Sequence, residues 1–111
     1  MAETLKNLGQ TDLTSTSLSA VYTVPSATSA ALSTIAVTNR HTSLSCTFDL
    51  AHSPAGASIA NAHYFAMGET LAASTSVYLT LGITMATTDV LRARAGTANQ
   101  LSVNVWGVEK T

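Results

Sequence analysis

A chain of 111 residues can close one hydrophobic core and not two, so a single domain is expected. Charged residues make up 10% of it, against roughly 25% in an ordinary soluble domain, and the net charge of -1 with five scattered Lys and Arg excludes a nucleic-acid-binding face. Its surface has to be covered by Ala and by 31 Ser and Thr, and a surface so poor in charge loses little when another protein desolvates it.

No basic-then-apolar leader begins at Met1 and no apolar run approaches about 20 residues, so neither a signal peptide nor a membrane span is expected. Residues 1–17 are polar and Thr-rich, with Leu5, Leu8 and Leu13 irregularly spaced. Gly9 and the polar Gln10-Thr11-Asp12 favour an extended N-terminal arm over a helix, with the three leucines as anchors on a neighbouring subunit. Residues 18–111 then read as one β-sandwich domain.

Leu18 to Val24 alternates, with Leu18, Ala20, Tyr22 and Val24 on one side, and stops at Pro25, which cannot donate to a ladder. Ala31 to Asn39 runs on with Ile35 and Val37 inward, and Asn39-Arg40-His41-Thr42 has the character of a short hairpin loop. Leu44, Cys46, Phe48 and Leu50 alternate strictly with polar residues, which makes Cys46 a buried small hydrophobe. As the lone cysteine it forms no internal disulfide, and the chain suits a reducing cytoplasm.

Ser53-Pro54-Ala55-Gly56-Ala57 breaks the pattern, Ile59 to Ala62 suits a turn of helix, and Ala62 to Met67 forms the next strand. Val77 to Leu81 has an aliphatic residue at every second position. A crossing segment, Gly82 to Ala86, and the turn-forming Thr87-Thr88-Asp89 lead back into Val90 to Ala95, where Arg92 and Arg94 oppose Leu91, Ala93 and Ala95. The last run, Leu101 to Glu109, puts Leu101, Val103 and Val105 on one face and Trp106 and Val108 on the other, as expected of a strand covered twice. About seven or eight strands with turn signals every 8 to 12 residues predict an all-β fold, an antiparallel β-sandwich of jelly-roll-like or Ig-like type.

Residues that could carry chemistry are sparse. His41, His52 and His63 invite a metal reading, and His52 and His63 flank a Pro/Gly loop that could set them side by side, but polar rim or interface roles suit them better. No Gly-x-Ser-x-Gly elbow exposes a nucleophile, and the six carboxylates are dispersed, so no enzyme activity and no cofactor or metal is expected. Asp89 reads as a turn residue and Asp49 as a solvent-face residue. Tyr22, Tyr64 and Trp106 suit core or subunit contacts. A glycan-binding module is a further alternative, but the end loops that would form its site lack aromatic residues.

Six blocks carry a resemblance. They are Leu8-Gly9-Gln10; Tyr22-Thr23-Val24-Pro25; Leu32-Ser33-Thr34-Ile35 with Val37 and Asn39-Arg40; Pro54-Ala55-Gly56-Ala57 with Ala60-Asn61 and His63-Tyr64; Leu79 to Ala86 with Asp89-Val90; and Val105-Trp106-Gly107-Val108-Glu109. In this order the chain resembles a family of small tailed-bacteriophage virion proteins. The resemblance implies a structural component of the particle, located in the virion, with no catalytic residues to carry over. A capsid decoration (cement) protein is the first expectation, and a neck, tail or baseplate accessory or fibre component the alternative. Such a protein gains from many weak contacts repeated over a lattice. Its expected partners are other copies of itself, in a symmetric oligomer such as a trimer, and the major capsid protein or other virion proteins. Leu5, Leu8, Leu13, Tyr64, Trp106 and Val108 are the expected interface residues.

Overall fold

The computed structural model describes residues 3–111, and of Leu81 the backbone; Met1 and Ala2, the first residues of the expected arm, and the inward place expected of the Leu81 side chain lie outside the described part. Eight strands are described: β1 (Glu3–Asp12), β2 (Ser19–Thr23), β3 (Ser29–Asn39), β4 (Cys46–Ser53), β5 (Tyr64–Leu71), β6 (Ser76–Met85), β7 (Val90–Ala95) and β8 (Leu101–Lys110). They form two four-stranded antiparallel sheets, β1-β8-β3-β6 and β2-β7-β4-β5. Apart from β4 to β5, every connection passes from one sheet to the other. That winding of eight strands is the jelly-roll form of the expected sandwich.

Alternation decides which side chains enter the core. Ile35, Val37, Leu50, Leu91, Ala93, Leu101, Val103 and Val105 are fully buried between the sheets, while Arg92 and Arg94 of β7 stay on the outer face. Extra residues shift the phase in β1, β2 and β3, and in β3 the one at Ser33 moves the inward set from Ala30 and Leu32 to Ile35 and Val37. In β2 the register slips between Ala20 and Tyr22, so Tyr22 is buried and Ala20 is exposed, where unbroken alternation had put them on one side. In β1 it slips between Asn7 and Gly9, and the bulged Leu8 packs against the core.

Three expectations about connectivity are corrected. β6 and β7 are not a hairpin: β6 continues through the expected crossing segment to Met85, and β7 lies in the other sheet. Asn39 to Thr42 likewise joins strands of different sheets. Residues 3–12 of the expected arm are a strand of this domain, paired along its length with β8. Leu13 follows it into the core, fully buried, donating its N–H to the Leu101 carbonyl at 2.9 Å.

Two polar side chains hold the crossings. Asn39, 1% exposed, donates through Nδ2 to the carbonyls of Leu44 (3.0 Å) and Leu71 (3.1 Å), and its Oδ1 accepts the His41 N–H (3.0 Å). Elsewhere, Asp89 accepts the N–H groups of Ala55 (2.8 Å) and Ala86 (3.0 Å) and contacts His52 Nε2 at 2.8 Å. The side chain read as a turn former is thus a buried clamp joining the β4–β5 and β6–β7 connections. Burial alone would raise its carboxyl, but the hydrogen bonds from Ala55, His52 and Ala86 outweigh it and hold the group below its usual range.

Candidate functional site

The outer faces of the two sheets differ in chemistry. On the β1-β8-β3-β6 sheet, Leu5 stands opposite Val108, which stands opposite Ala31; one row along, Asn7, Trp106, Thr34 and Thr80 are neighbours; in the next, Asn104, Ala36 and Tyr78. Residues opposite one another in a ladder share a face, so Leu5, Trp106, Val108 and Tyr78 belong to a single surface. Leu5 is 82% exposed, Tyr78 68% and Trp106 38%, and the residues between them are Thr, Ala and Asn. Charge is confined to the ends of these rows, where Lys110 pairs with Glu3 (3.5 Å) and Arg40 with Asp12.

The other sheet carries a fixed polar network outside. Arg94 binds Asp49 and lies 5.6 Å over the Tyr64 ring, Arg92 donates to Ser53 Oγ at 3.0 Å, and Asp49 also accepts the Gly68 N–H at 2.6 Å. The hydrogen bond to Asp49 holds the Arg94 guanidinium above its ordinary pKa. These partners are already satisfied within the chain, so covering them would expose little that seeks a new contact.

Of the six expected interface residues, the structure brings Leu5, Trp106 and Val108 together on the uncharged face. Leu13 is a core residue and Leu8 packs against the core, so neither is an anchor available to a neighbour. Tyr64 lies on the opposite sheet beneath Arg94. The second covering expected for β8 concerns Trp106 and Val108, which face out of this chain. Tyr78 joins them on this face, and an aromatic on the wet side of an alternating strand is a signal the sequence itself carries.

A second feature lies between the sheets. The side formed by β1 and β2 is shut: a Cβ on Gly9 would come within 2.4 Å of the Val21 carbonyl oxygen, and Glu109 of β8 binds Lys6 Nζ (2.7 Å) and the Tyr22 hydroxyl (2.6 Å) across the gap. Those two partners hold the Glu109 carboxyl below its usual range, while burial and Glu109 push the Tyr22 phenol up. The side formed by β5 and β6 is open. A cleft of about 750 Å³ enters there, walled by half-buried Val77, Leu79 and Ile83 of β6, by Phe48, and by Phe65 of β5. His52 and His63 share its lining, as the loop between them suggested; His41 is elsewhere, its Nδ1 accepting the N–H groups of Ser43 and Leu44. His63 Nδ1 accepts the Ala60 N–H at 3.0 Å and His52 is held by Asp89, so both rings are positioned by their own chain. Among the described residues no three His, Cys, Asp or Glu side chains gather as a metal site would require. Cys46 is buried.

The chain matches no protein-family model, no curated protein and no solved structure.

Proposed function

We propose that this protein is a non-enzymatic structural component of a bacteriophage virion, a capsid decoration protein that strengthens the particle by packing its uncharged sheet face against other virion proteins. The observation that carries the packing role is the continuous surface of Leu5, Trp106, Val108 and Tyr78, set in Thr and Ala with charge only at its margins. Exposed large apolar residues gathered on one face mark a site of protein contact, and a face without charge is readily desolvated. Placement on a phage particle rests on the resemblance of the sequence blocks, and a neck, tail or baseplate position would use the same face. Homo-oligomers and the capsid lattice are the partners this reading requires, since weak contacts become effective when repeated.

The test is mass spectrometry and cryo-electron microscopy of particles released by cells that carry this gene, with the wild type and with Trp106→Lys. The wild-type protein is expected in the particle in many copies, its β1-β8-β3-β6 face against a neighbour, and the variant is expected to fold but to be absent. Particles without the protein, or a variant incorporated as well as the wild type, would overturn the proposal.

A further inference from the structure

We infer that a second copy of this chain closes the open side of the sandwich: the β6 strands of two copies pair antiparallel about a two-fold axis, and each seals the other's cleft. The four strands at the sheet margins are not equally protected against pairing. β1 carries Glu3, Lys6 and Asp12, bulges at Leu8 and lies against β2. β2 is five residues long and stops short of Pro25. β5 has two register irregularities, carries Glu69 and turns through Gly68 at φ +67. Short length, inward or exposed charge, proline and bulges are how sheet margins avoid further strands.

β6 has little of this. It is ten residues long, Ser76–Met85, with neither a charged residue nor a proline, and its one irregularity falls between Thr80 and Ile83. Among the described strands its backbone pairs with β3 alone, which leaves the other margin free to add a strand. Beneath that margin Val77, Leu79 and Ile83 are half-buried over the cleft, and Phe65 faces them from β5, 38% exposed. The free ladder and the uncovered apolar layer coincide.

What fills both at once is an extended, uncharged segment with an apolar side chain at every second position. β6 is itself such a segment, so the strand that leaves the cleft open in one copy has the chemistry to close it in another. Because β6 is uncharged, it meets itself without repulsion. A two-fold axis perpendicular to the sheet keeps the inward residues of both strands inward, provided outward residues face outward ones, as when Thr80 lies opposite Thr80. The β1-β8-β3-β6 sheets then become one eight-stranded sheet, and the Leu5, Tyr78 and Trp106 faces lie side by side on its outside. The inference gives the homo-oligomer proposed above its symmetry and depends on no particle.

Analytical ultracentrifugation of the full chain tests it. At micromolar concentration the wild type is expected to sediment at twice the 11.4 kDa chain mass. Val77→Lys/Ile83→Lys, which places charge inward at the margin, is expected to sediment as one chain with an unchanged far-UV circular dichroism spectrum, and Leu5→Lys, on the outer face, as two. A monomeric or trimeric wild type, a dimer that survives the double substitution, or one lost on Leu5→Lys would overturn the inference. Hydrogen exchange on the wild type covers the case in which the double variant does not fold. Consecutive amides of 76–80 are expected to be protected, falling to every second amide on dilution to the monomer, whereas an alternating pattern at all concentrations counts against pairing. A dimer that never enters a particle would refute the virion reading alone, and a monomer that decorates particles would refute this inference alone.

Discussion

The two lateral sides of the sandwich are built from comparable strands and end in opposite states. At the β1/β2 side the sheets touch: Gly9 lets the backbones approach, Leu13 plugs the gap, and Glu109 ties Lys6 to Tyr22 across it. At the β5/β6 side they diverge around a cleft whose walls are apolar and half-covered. A jelly roll can therefore complete its core on one side with its own side chains and leave the other to whatever packs there. The difference lies less in hydrophobicity than in backbone approach, since Val77, Leu79 and Ile83 are as apolar as anything at the closed side.

The largest effect expected is from Leu13→Ala. Removing a fully buried leucine with no room to collapse costs about 2–5 kcal/mol, measured by urea unfolding. Leu79→Ala, at the open side, is expected to cost less than half as much at concentrations where the chain is monomeric. If the two losses were equal, the β5/β6 side would be closed in the isolated chain as well, and the contrast between the sides would fail.

Next comes Gly9→Ala. The added methyl carbon would sit 2.4 Å from the Val21 carbonyl oxygen, a backbone atom that cannot swing away, so the sheets must part or the bulge at Leu8 must rearrange. Overpacking of this kind costs about 1–3 kcal/mol, read as a lowered urea midpoint. A neutral outcome would mean that the closed side is held by Leu13 and Glu109 without close backbone contact.

How much of this was readable beforehand depends on what alternation encodes. A period of two states which residues enter the core; the inward positions of β8 follow it residue by residue, as do those of β7 from Leu91 onward, whereas β3 changes phase at Ser33. It does not state to which sheet a strand belongs. Thr87-Thr88-Asp89 is equally good turn chemistry for a hairpin and for a crossing, which is why β6 and β7 read as partners. Nor does it announce a bulge: one extra residue at Leu8, one near Val21 and one at Ser33 each reversed the sides of their neighbours. Leu13 had no periodic company to mark it as core. Leu5, Trp106 and Val108 were legible as outward apolar residues, but that they form one face with Tyr78 is a consequence of strand order.

A smaller effect separates the two carboxylates that clamp the molecule, Glu109 at the closed side and Asp89 behind the cleft. Both are held below their ordinary pKa in the folded chain, Glu109 by Lys6 and Tyr22, and Asp89 by backbone N–H groups and His52 against the opposing effect of burial. A depressed carboxylate stabilises the fold above its unfolded pKa and loses that contribution as pH falls through the folded value. Stability is thus expected to decline on acidification below about pH 5. Glu109→Gln and Asp89→Asn should each flatten that decline while lowering stability at neutral pH. A variant with an unchanged acid limb in a pH series of thermal melts would show that its carboxylate contributes nothing to it.

The smallest effect is expected at Gly82, and it sharpens the contrast most directly because it repeats the Gly9 experiment on the other side. A Cβ built at Gly82 meets no atom of the described residues within 4 Å. Alanine there adds no clash and restricts the unfolded chain, so at dilutions where the chain is monomeric Gly82→Ala should be neutral or stabilise by up to about 1 kcal/mol. The same methyl group would then be damaging at one side of the sandwich and harmless at the other, with backbone approach as the sole variable. A loss at Gly82 as large as at Gly9 would mean that a second body rests on β6 at the concentration of the measurement. Dilution decides whether that body is another copy of the chain, because a loss caused by self-association fades as the copies separate.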